Sequence, residues 1–367
     1  MNEEKYMRLA LDLALKGTGK VNPNPLVGAV IVKNNEIIGS GYHERYGELH
    51  AERNALKNCK VSPNGATMYV TLEPCCHYGK TSPCTKAIIE SGIKKVVIGC
   101  LDPNKKMAGR GVKILQDAGI EVVVGVLLEE CKEINKIFFN YIKTKTPFVL
   151  MKYAMTLDGK IATVTGKSKW ITCEKSRENV HKTRNEYMAI MVGVGTVLAD
   201  NPELTCRLHN GRNPIRIICD SKLRTPINSK VVSTANSIKT MIVTAVANEK
   251  DHKPYLESGV EIIVTQSKNG RVDLNELMRI LGKQGIDSVL LEGGGELNFS
   301  ALDSEIVNKI NCYISPKIFS GKTAKSPIMG DGFFEVDNKI SLKITKFLNF
   351  DDDILVESEV SYVHRNN

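Results

Sequence analysis

The chain has 367 residues, a net charge of +9, 42% hydrophobic residues and 25% charged residues. That length exceeds one ordinary core and suits two domains, and no window reaches the roughly 18 continuous apolar residues of a membrane span. The start, Met1-Asn2-Glu3-Glu4, lacks the basic segment and apolar run of a secretory signal, so the 10 cysteines are expected in the cytoplasm as buried, metal-bound or catalytic thiols, not as a disulfide framework.

Apolar residues at helical spacing predict a helix over Tyr6–Lys16. Strands follow at Val27–Val32 and Ile37–Tyr42, joined by the turn Lys33-Asn34-Asn35-Glu36. The pattern then predicts a helix over Ala51–Asn58, a strand at Thr67–Leu72, a helix over Thr85–Ser91 and a β-branched strand at Lys95–Cys100. A helix over Gly111–Ala118, a strand at Glu121–Val124 and one long helix over Glu129–Tyr141 complete the first half. Such alternation argues for a sheet covered by helices. The polar, proline-ended stretch Lys143–Pro147 marks a boundary, giving domains 1–145 and 146–367. The second half continues as α/β, with strands at Phe148–Ala154, Met188–Val192, Ile215–Cys219, Met241–Ala245, Glu261–Val264 and Ser288–Leu291. It ends on strand-like segments at Lys309–Ile314, Ile340–Ile344 and Ile354–Val360.

Three features in the first half carry chemistry. His50-Ala51-Glu52 opens a helix, Glu73-Pro74-Cys75 closes a strand, and Cys84 starts the next helix. One imidazole and two thiolates make a tight zinc site with one position left for water, which zinc acidifies. Glu52 then moves protons to a departing ring amine and ring nitrogen without binding the metal. The order is that of zinc deaminases, H-x-E followed by P-C-x-x-C, with eight residues between the cysteines here. A purely structural zinc would need a fourth protein ligand, which Cys76 or His77 could supply, and would leave Glu52 without a task. In the second half, Glu292-Gly293-Gly294-Gly295-Glu296 lies between a strand and the helix-like Leu297–Leu302, a place where backbone N–H groups approach a phosphate. Gly193-Val194-Gly195-Thr196 is a weaker signal of the same kind.

The segment Cys75-Cys76-His77-Tyr78-Gly79-Lys80-Thr81-Ser82-Pro83-Cys84 resembles the bifunctional deaminase/reductase family of riboflavin biosynthesis, and so do Asn22–Gly28, Gly41-Tyr42-His43 and Asp102-Pro103-Asn104 with Ala108–Gly111. That family often carries serine, arginine and proline where this chain has Cys76, Lys80 and Ser82. Ligand order and the family pattern favour Cys75 over Cys76 as the metal-bound sulfur. Lys152–Lys160, Ser168–Thr172 and Gly195–Pro202 resemble the family's reductase half.

The resemblance implies a cytidine-deaminase-like three-layer α/β/α domain followed by a dihydrofolate-reductase-like α/β domain. It implies Zn2+ on His50, Cys75 and Cys84, Glu52 as the catalytic acid–base, and Asn24, His77 and Lys80 around the pyrimidine nucleotide, with His43 a weaker candidate. NADPH is expected against Ala154, Trp170, Thr196, Asp200 and the turn Gly293, Gly294, Gly295. The substrate is expected against Ser168, Arg184, Leu204, Arg207 and Glu292, the arginines suiting its phosphate. For Trp170, the only tryptophan, plain core packing is the alternative.

The reaction implied is deamination of a diaminohydroxyphosphoribosylaminopyrimidine, then reduction of its ribosyl group to ribityl. The expected partners are small phosphorylated pyrimidines and like copies in a homo-oligomer, with neither nucleic acid nor membrane. A nucleic-acid-editing deaminase is the second hypothesis. The long gap between the cysteines and the lack of any interleaved aromatic and basic stretch for stacking bases stand against it. A non-catalytic zinc-stabilised module is the third, distinguished by the absence of ammonia release.

Overall fold

The computed structural model describes residues 2–362 apart from 79–81, 106 and 333–339. The chain divides into two units, Met1–Lys145 and Thr146–Asn367.

The first unit runs α1 (Asn2–Leu15), β1 (Gly28–Lys33), β2 (Glu36–Tyr42), α2 (Ala51–Lys57), β3 (Thr67–Leu72), α3 (Cys84–Glu90), β4 (Lys95–Cys100), α4 (Arg110–Asp117), β5 (Glu121–Val124), α5 (Leu128–Glu133) and α6 (Lys136–Thr144). Its five strands lie in the order β2-β1-β3-β4-β5, with β1 antiparallel to both neighbours and β3, β4 and β5 parallel. Asn34 and Asn35 turn the first hairpin with φ of 51° and 63°, the left-handed pair that a tight two-residue turn requires.

Two glycines let helices lie directly on this sheet. A Cβ on Gly28 would stand 1.9 Å from the Ala10 carbonyl oxygen of α1, and one on Gly41 would stand 2.4 Å from Ala55 N of α2. Gly28 pairs with Tyr42 while Gly41 pairs with Ala29, so the two glycines point to opposite faces. Helices therefore cover both sides, a three-layer α/β/α arrangement around Val30, Ile31, Met68, Val70, Val96 and Ile98.

The long helix expected over Glu129–Tyr141 is two helices, α5 and α6, and Asn135 stands between them. Its side chain is buried and grips Leu26, accepting from its N–H at 2.8 Å and donating to its carbonyl at 2.9 Å. That pair across 109 positions competes with continued helix, the known tendency of asparagine.

The second unit runs β6 (Phe148–Thr156), α7 (Glu174–Glu186), β7 (Ala189–Gly193), α8 (Val194–Asp200), β8 (Ile215–Cys219), α9 (Lys230–Ser233), β9 (Thr240–Thr244), α10 (Glu249–Glu257) and β10 (Glu261–Val264). It continues through a small hairpin, β11 (Ser267–Lys268) and β12 (Arg271–Val272), to α11 (Leu274–Lys283), β13 (Ser288–Leu291), α12 (Gly295–Asp303), β14 (Lys309–Ser315), β15 (Ile340–Phe350) and β16 (Asp353–Tyr362). The main sheet has the order β10-β9-β8-β7-β13-β6-β14-β16-β15. Neighbours from β10 to β14 are parallel, and β16 and β15 complete the edge antiparallel.

Adjacent residues feed different cores. Met191 and Ile217 join one cluster, and Ile190 and Ile218 join another. Both faces of the parallel part are thus covered, which explains its continuous apolar runs. β13 sits between β7 and β6, so the loops after β7 and β13 leave the sheet side by side, where parallel sheets bind ligands. No described helix is long and apolar enough to cross a membrane.

Candidate active sites

Three chain segments converge in the first unit. His50 is the residue before α2, Cys75 follows β3 by three positions, and Cys84 begins α3. His50 Nδ1 is 3.5 Å from each of the Cys75 and Cys84 sulfurs, and the three donor atoms lie within 4.8 Å of one another. A tetrahedral zinc with the usual bond lengths sets nitrogen and sulfur about 3.6 Å apart. The donor set and its spacing therefore fit zinc. Neither Cys76 nor His77 belongs to the group.

The electrostatics favour a cation there. The hydrogen bond from Cys84 pulls the Cys75 thiol down to about 4 against the opposing effect of burial, and His50 and the Cys84 N–H assist. The same bond, with burial, drives Cys84 up. A part-buried and a buried sulfur thus share one proton, and a cation between them favours ionising both. Beside them Glu52 is 3% exposed. Burial pushes its carboxyl up to about 7, and the Cys75 charge adds to this while His50 opposes it. That range suits a group that both takes and returns protons.

A cavity of about 400 Å³ opens over these groups, lined also by Asn24, His43, His77, Asp102, Asn104, Met107, Phe138 and Ile142. His43 Nδ1 lies 3.0 Å from the Leu49 carbonyl and its Nε2 lies 3.1 Å from Asn24 Nδ2. The carbonyl can only accept, so the proton sits on Nδ1, and the neutral ring then accepts from the Asn24 amide. Lys80 lies outside the described residues.

Two supports of this site carry no sequence signal of their own. Arg53 donates to the Ser82 carbonyl at 3.2 Å, the Ser82 hydroxyl at 2.5 Å and the Pro83 carbonyl at 3.3 Å, fastening the residues before Cys84 to α2. The buried Glu73 carboxylate accepts four backbone N–H bonds, from Asp102 at 3.1 Å, Gly109 at 3.0 Å, Gly111 at 2.9 Å and Val112 at 3.3 Å. It holds the loop that brings Asp102 and Asn104 to the cavity. Glu73 opens the Glu73-Pro74-Cys75 segment, where the cysteine carries the sequence signal.

In the second unit a cleft of about 610 Å³ lies at the carboxyl ends of β7 and β13. Ala154, Ser168, Trp170, Arg184, Thr196, Asp200, Leu204, Arg207, Glu292, Gly293 and Gly294 all line it. Gly295 does not: it starts α12 beneath Ser326 and Met329, which a Cβ there would meet at 2.8 Å. Gly293 takes φ of 83°, a value glycine adopts without strain. The turn delivers the N-terminus of α12, with its free N–H groups, to the cleft. The cleft's size and this terminus fit a phosphate-bearing cofactor such as NADPH.

Trp170 is 59% exposed, so core packing does not account for it. The Arg177 guanidinium sits 4.6 Å from its ring centre. Ser168 Oγ donates to Asp200 at 3.4 Å, and Leu204 is buried. Arg184 and Glu292 face each other: Nε and Nη2 of the arginine donate to the two carboxylate oxygens at 2.7 and 2.9 Å, and Nη1 donates to the Thr205 carbonyl at 2.9 Å. Lys152 adds a contact to Glu292 at 3.5 Å. Burial alone would raise Glu292, but Arg184 and Lys152 outweigh it and hold the carboxyl at about 2. Arg207 is largely exposed, with the Glu203 carboxylate 3.8 Å from its guanidinium.

Residues 1–100 match the family of the cytidine and deoxycytidylate deaminase zinc-binding region, and residues 147–356 match the RibD C-terminal domain. The riboflavin biosynthesis protein RibD of Actinobacillus pleuropneumoniae is 54% identical over 97% of this chain and 95% of its own length. That of Escherichia coli strain K12 is 40% identical over 87% of this chain and 89% of its own. Among solved structures, a diaminohydroxyphosphoribosylaminopyrimidine deaminase/5-amino-6-(5-phosphoribosylamino)uracil reductase from Thermotoga maritima is 43% identical, with a TM-score of 0.86 over 97% of this chain and 98% of that one. RibD of Acinetobacter baumannii is 34% identical, with a TM-score of 0.88 over 98% and 99%. With the zinc-type donor set in one unit and the phosphate-accepting cleft in the other, the chain belongs to the RibD family of riboflavin biosynthesis, as a bifunctional enzyme joining a zinc-dependent deaminase to an NADPH-dependent reductase.

Proposed function

We propose that residues 1–145 remove one ring amine from a diaminohydroxyphosphoribosylaminopyrimidine, and that residues 146–367 reduce the ribosyl group of the resulting 5-amino-6-(5-phosphoribosylamino)uracil to ribityl. The observation that carries this reading is the placing of His50 Nδ1 at 3.5 Å from two sulfurs, with Glu52 buried beside them. His50, Cys75 and Cys84 hold zinc, whose contribution when bound is Lewis-acid activation of water near neutral pH. Glu52 takes one proton from the attacking water and passes it to the ring nitrogen, then takes the second and passes it to the amine, which leaves as ammonia while the oxygen stays on the ring carbon. Asn24, held by His43, and His77 orient the ring, and Lys80 takes the phosphate.

In the cleft, Trp170, Ala154, Thr196, Asp200, Gly293 and Gly294 hold NADPH, whose contribution is the hydride. Ser168, Leu204 and Arg207 position the substrate. Arg184 and Glu292 form the wall beside it, and Arg207 presents its guanidinium to the phosphate. The same reading puts the enzyme in the cytoplasm as a homo-oligomer, and light scattering of the purified chain checks the assembly.

The test is Glu52→Gln, which keeps the shape and removes the base. Ammonia release from the aminated pyrimidine should fall by roughly 10²–10⁴-fold with zinc content unchanged. NADPH oxidation with the deaminated uracil nucleotide should stay near the wild-type rate. Brisk reduction of the aminated compound would reverse the order of the two steps.

A further inference from the structure

His181, on α7, belongs to no role described so far, yet it lines the cleft between Arg184 and Arg207. Its ring is fixed from one side. The Arg207 backbone N–H donates to Nδ1 at 3.3 Å, so Nδ1 carries the lone pair and the neutral ring bears its proton on Nε2. Burial, then Arg184, Arg207 and Lys152, disfavour a second proton, with Glu292 opposing them. The ring is thus an uncharged donor set among cations.

Its surroundings call for such a donor. Arg184 directs Nε and Nη2 at Glu292 and Nη1 at Thr205, so most of its donor capacity is committed within the protein. Arg207 supplies a loosely held guanidinium, and its own backbone orients His181.

We infer that His181 donates its Nε2–H to the phosphate of the reductase substrate, completing with the Arg207 side chain a two-armed phosphate site in the cleft. This rests on the reading above that the substrate phosphate lies at Arg207. Coupling through the Arg207 backbone makes the two arms one unit: the residue that supplies the charge also sets the tautomer of its neighbour.

The test uses two variants of the full-length enzyme. The side-chain N–H of glutamine reaches about as far as Nε2, whereas that of asparagine reaches only the position of Nδ1. KM is measured for the deaminated uracil nucleotide and for the same compound lacking its phosphate, alongside the Kd for NADPH. For the nucleotide, His181→Asn should raise KM about tenfold, the scale of one hydrogen bond to a charged group, and His181→Gln should stay within about threefold of wild type. Neither variant should change KM for the dephosphorylated compound or the Kd for NADPH.

Equal losses in both variants, or a loss that persists without the phosphate, would overturn the inference and leave His181 as a support for the Arg207 backbone. Arg207→Ala is the control for the underlying reading. If it leaves KM for the nucleotide unchanged, the phosphate is not at Arg207, and that reading fails irrespective of His181.

Discussion

Glu292 offers a quantitative test of the electrostatics in the second unit. The carboxyl ionises at about 2 in place of 4.5, which corresponds to about 3 kcal/mol of native-state stability at neutral pH. Glu292→Gln keeps the volume and removes the charge, leaving Arg184 and Lys152, with side chains 15% and 16% exposed, without their counter-ion. Breaking a buried pair from one side costs about 3–5 kcal/mol, so two routes converge on a loss of about 3 kcal/mol. Because the folded value is depressed, this stability is fully present above 4.5 and is lost as the pH falls toward 2. Urea unfolding followed by tryptophan emission is the assay. Trp170 is the only tryptophan and stacks on Arg177, so the signal reports the second unit alone. The gap between wild type and variant should be about 3 kcal/mol at neutral pH and should close in acid. A gap under about 1 kcal/mol, typical of solvent-screened pairs, or one that does not change with pH, would refute the reasoning.

Two further outcomes concern the metal centre. Cys75→Ser should strip zinc while Cys76→Ser retains it, and metal analysis of the purified variants decides between the two sulfurs. Arg53→Ala should weaken zinc binding by about 10–100-fold, as loss of a ligand's support does, because the residues before Cys84 lose their ties to α2; competition with a chelator measures it, and unchanged affinity would remove Arg53 from the site.

The parts of this protein visible in its sequence are those with local causes. Thr67–Leu72, Lys95–Cys100 and Ser288–Leu291 stand where apolar runs place them, because strands flanked by helices bury both faces. His50, Cys75 and Cys84 were legible as a group because each lies at or within three positions of the end of a regular element, and few residue types hold zinc. What escaped depends on distant partners. Asn135 looks like one more position in a long helix, and only its bonds to Leu26 explain why α5 ends there. Arg53 has the local pattern of a solvated surface arginine. Arg184 and Glu292 were both expected to face substrate, and their mutual pairing across 108 positions follows from the insertion of β13 beside β7, which no local pattern announces. His181 stayed hidden for the same reason, since its significance lies in the backbone of Arg207.

The Glu73 carboxylate separates shape from selectivity in the deaminase pocket. The described residues between Asp102 and Gly109 belong to no strand or helix, yet both ends of the stretch are fixed by N–H groups bound to one carboxylate. Backbone N–H groups are common to every residue except proline, so the path depends little on which side chains the stretch bears. Asp102 is a second anchor, its carboxylate accepting from the Asn104 N–H at 2.8 Å, whereas Asn104 and Met107, which also face the cavity, can be exchanged while these two anchors hold the loop. Position 73 cannot, since a glutamine there would turn an amide toward donors. A pocket built this way adapts to a new ring by substitution at its rim while the carboxylates at 73 and 102 stay fixed, and libraries confined to 104 and 107 are the economical place to look for altered pyrimidine preference.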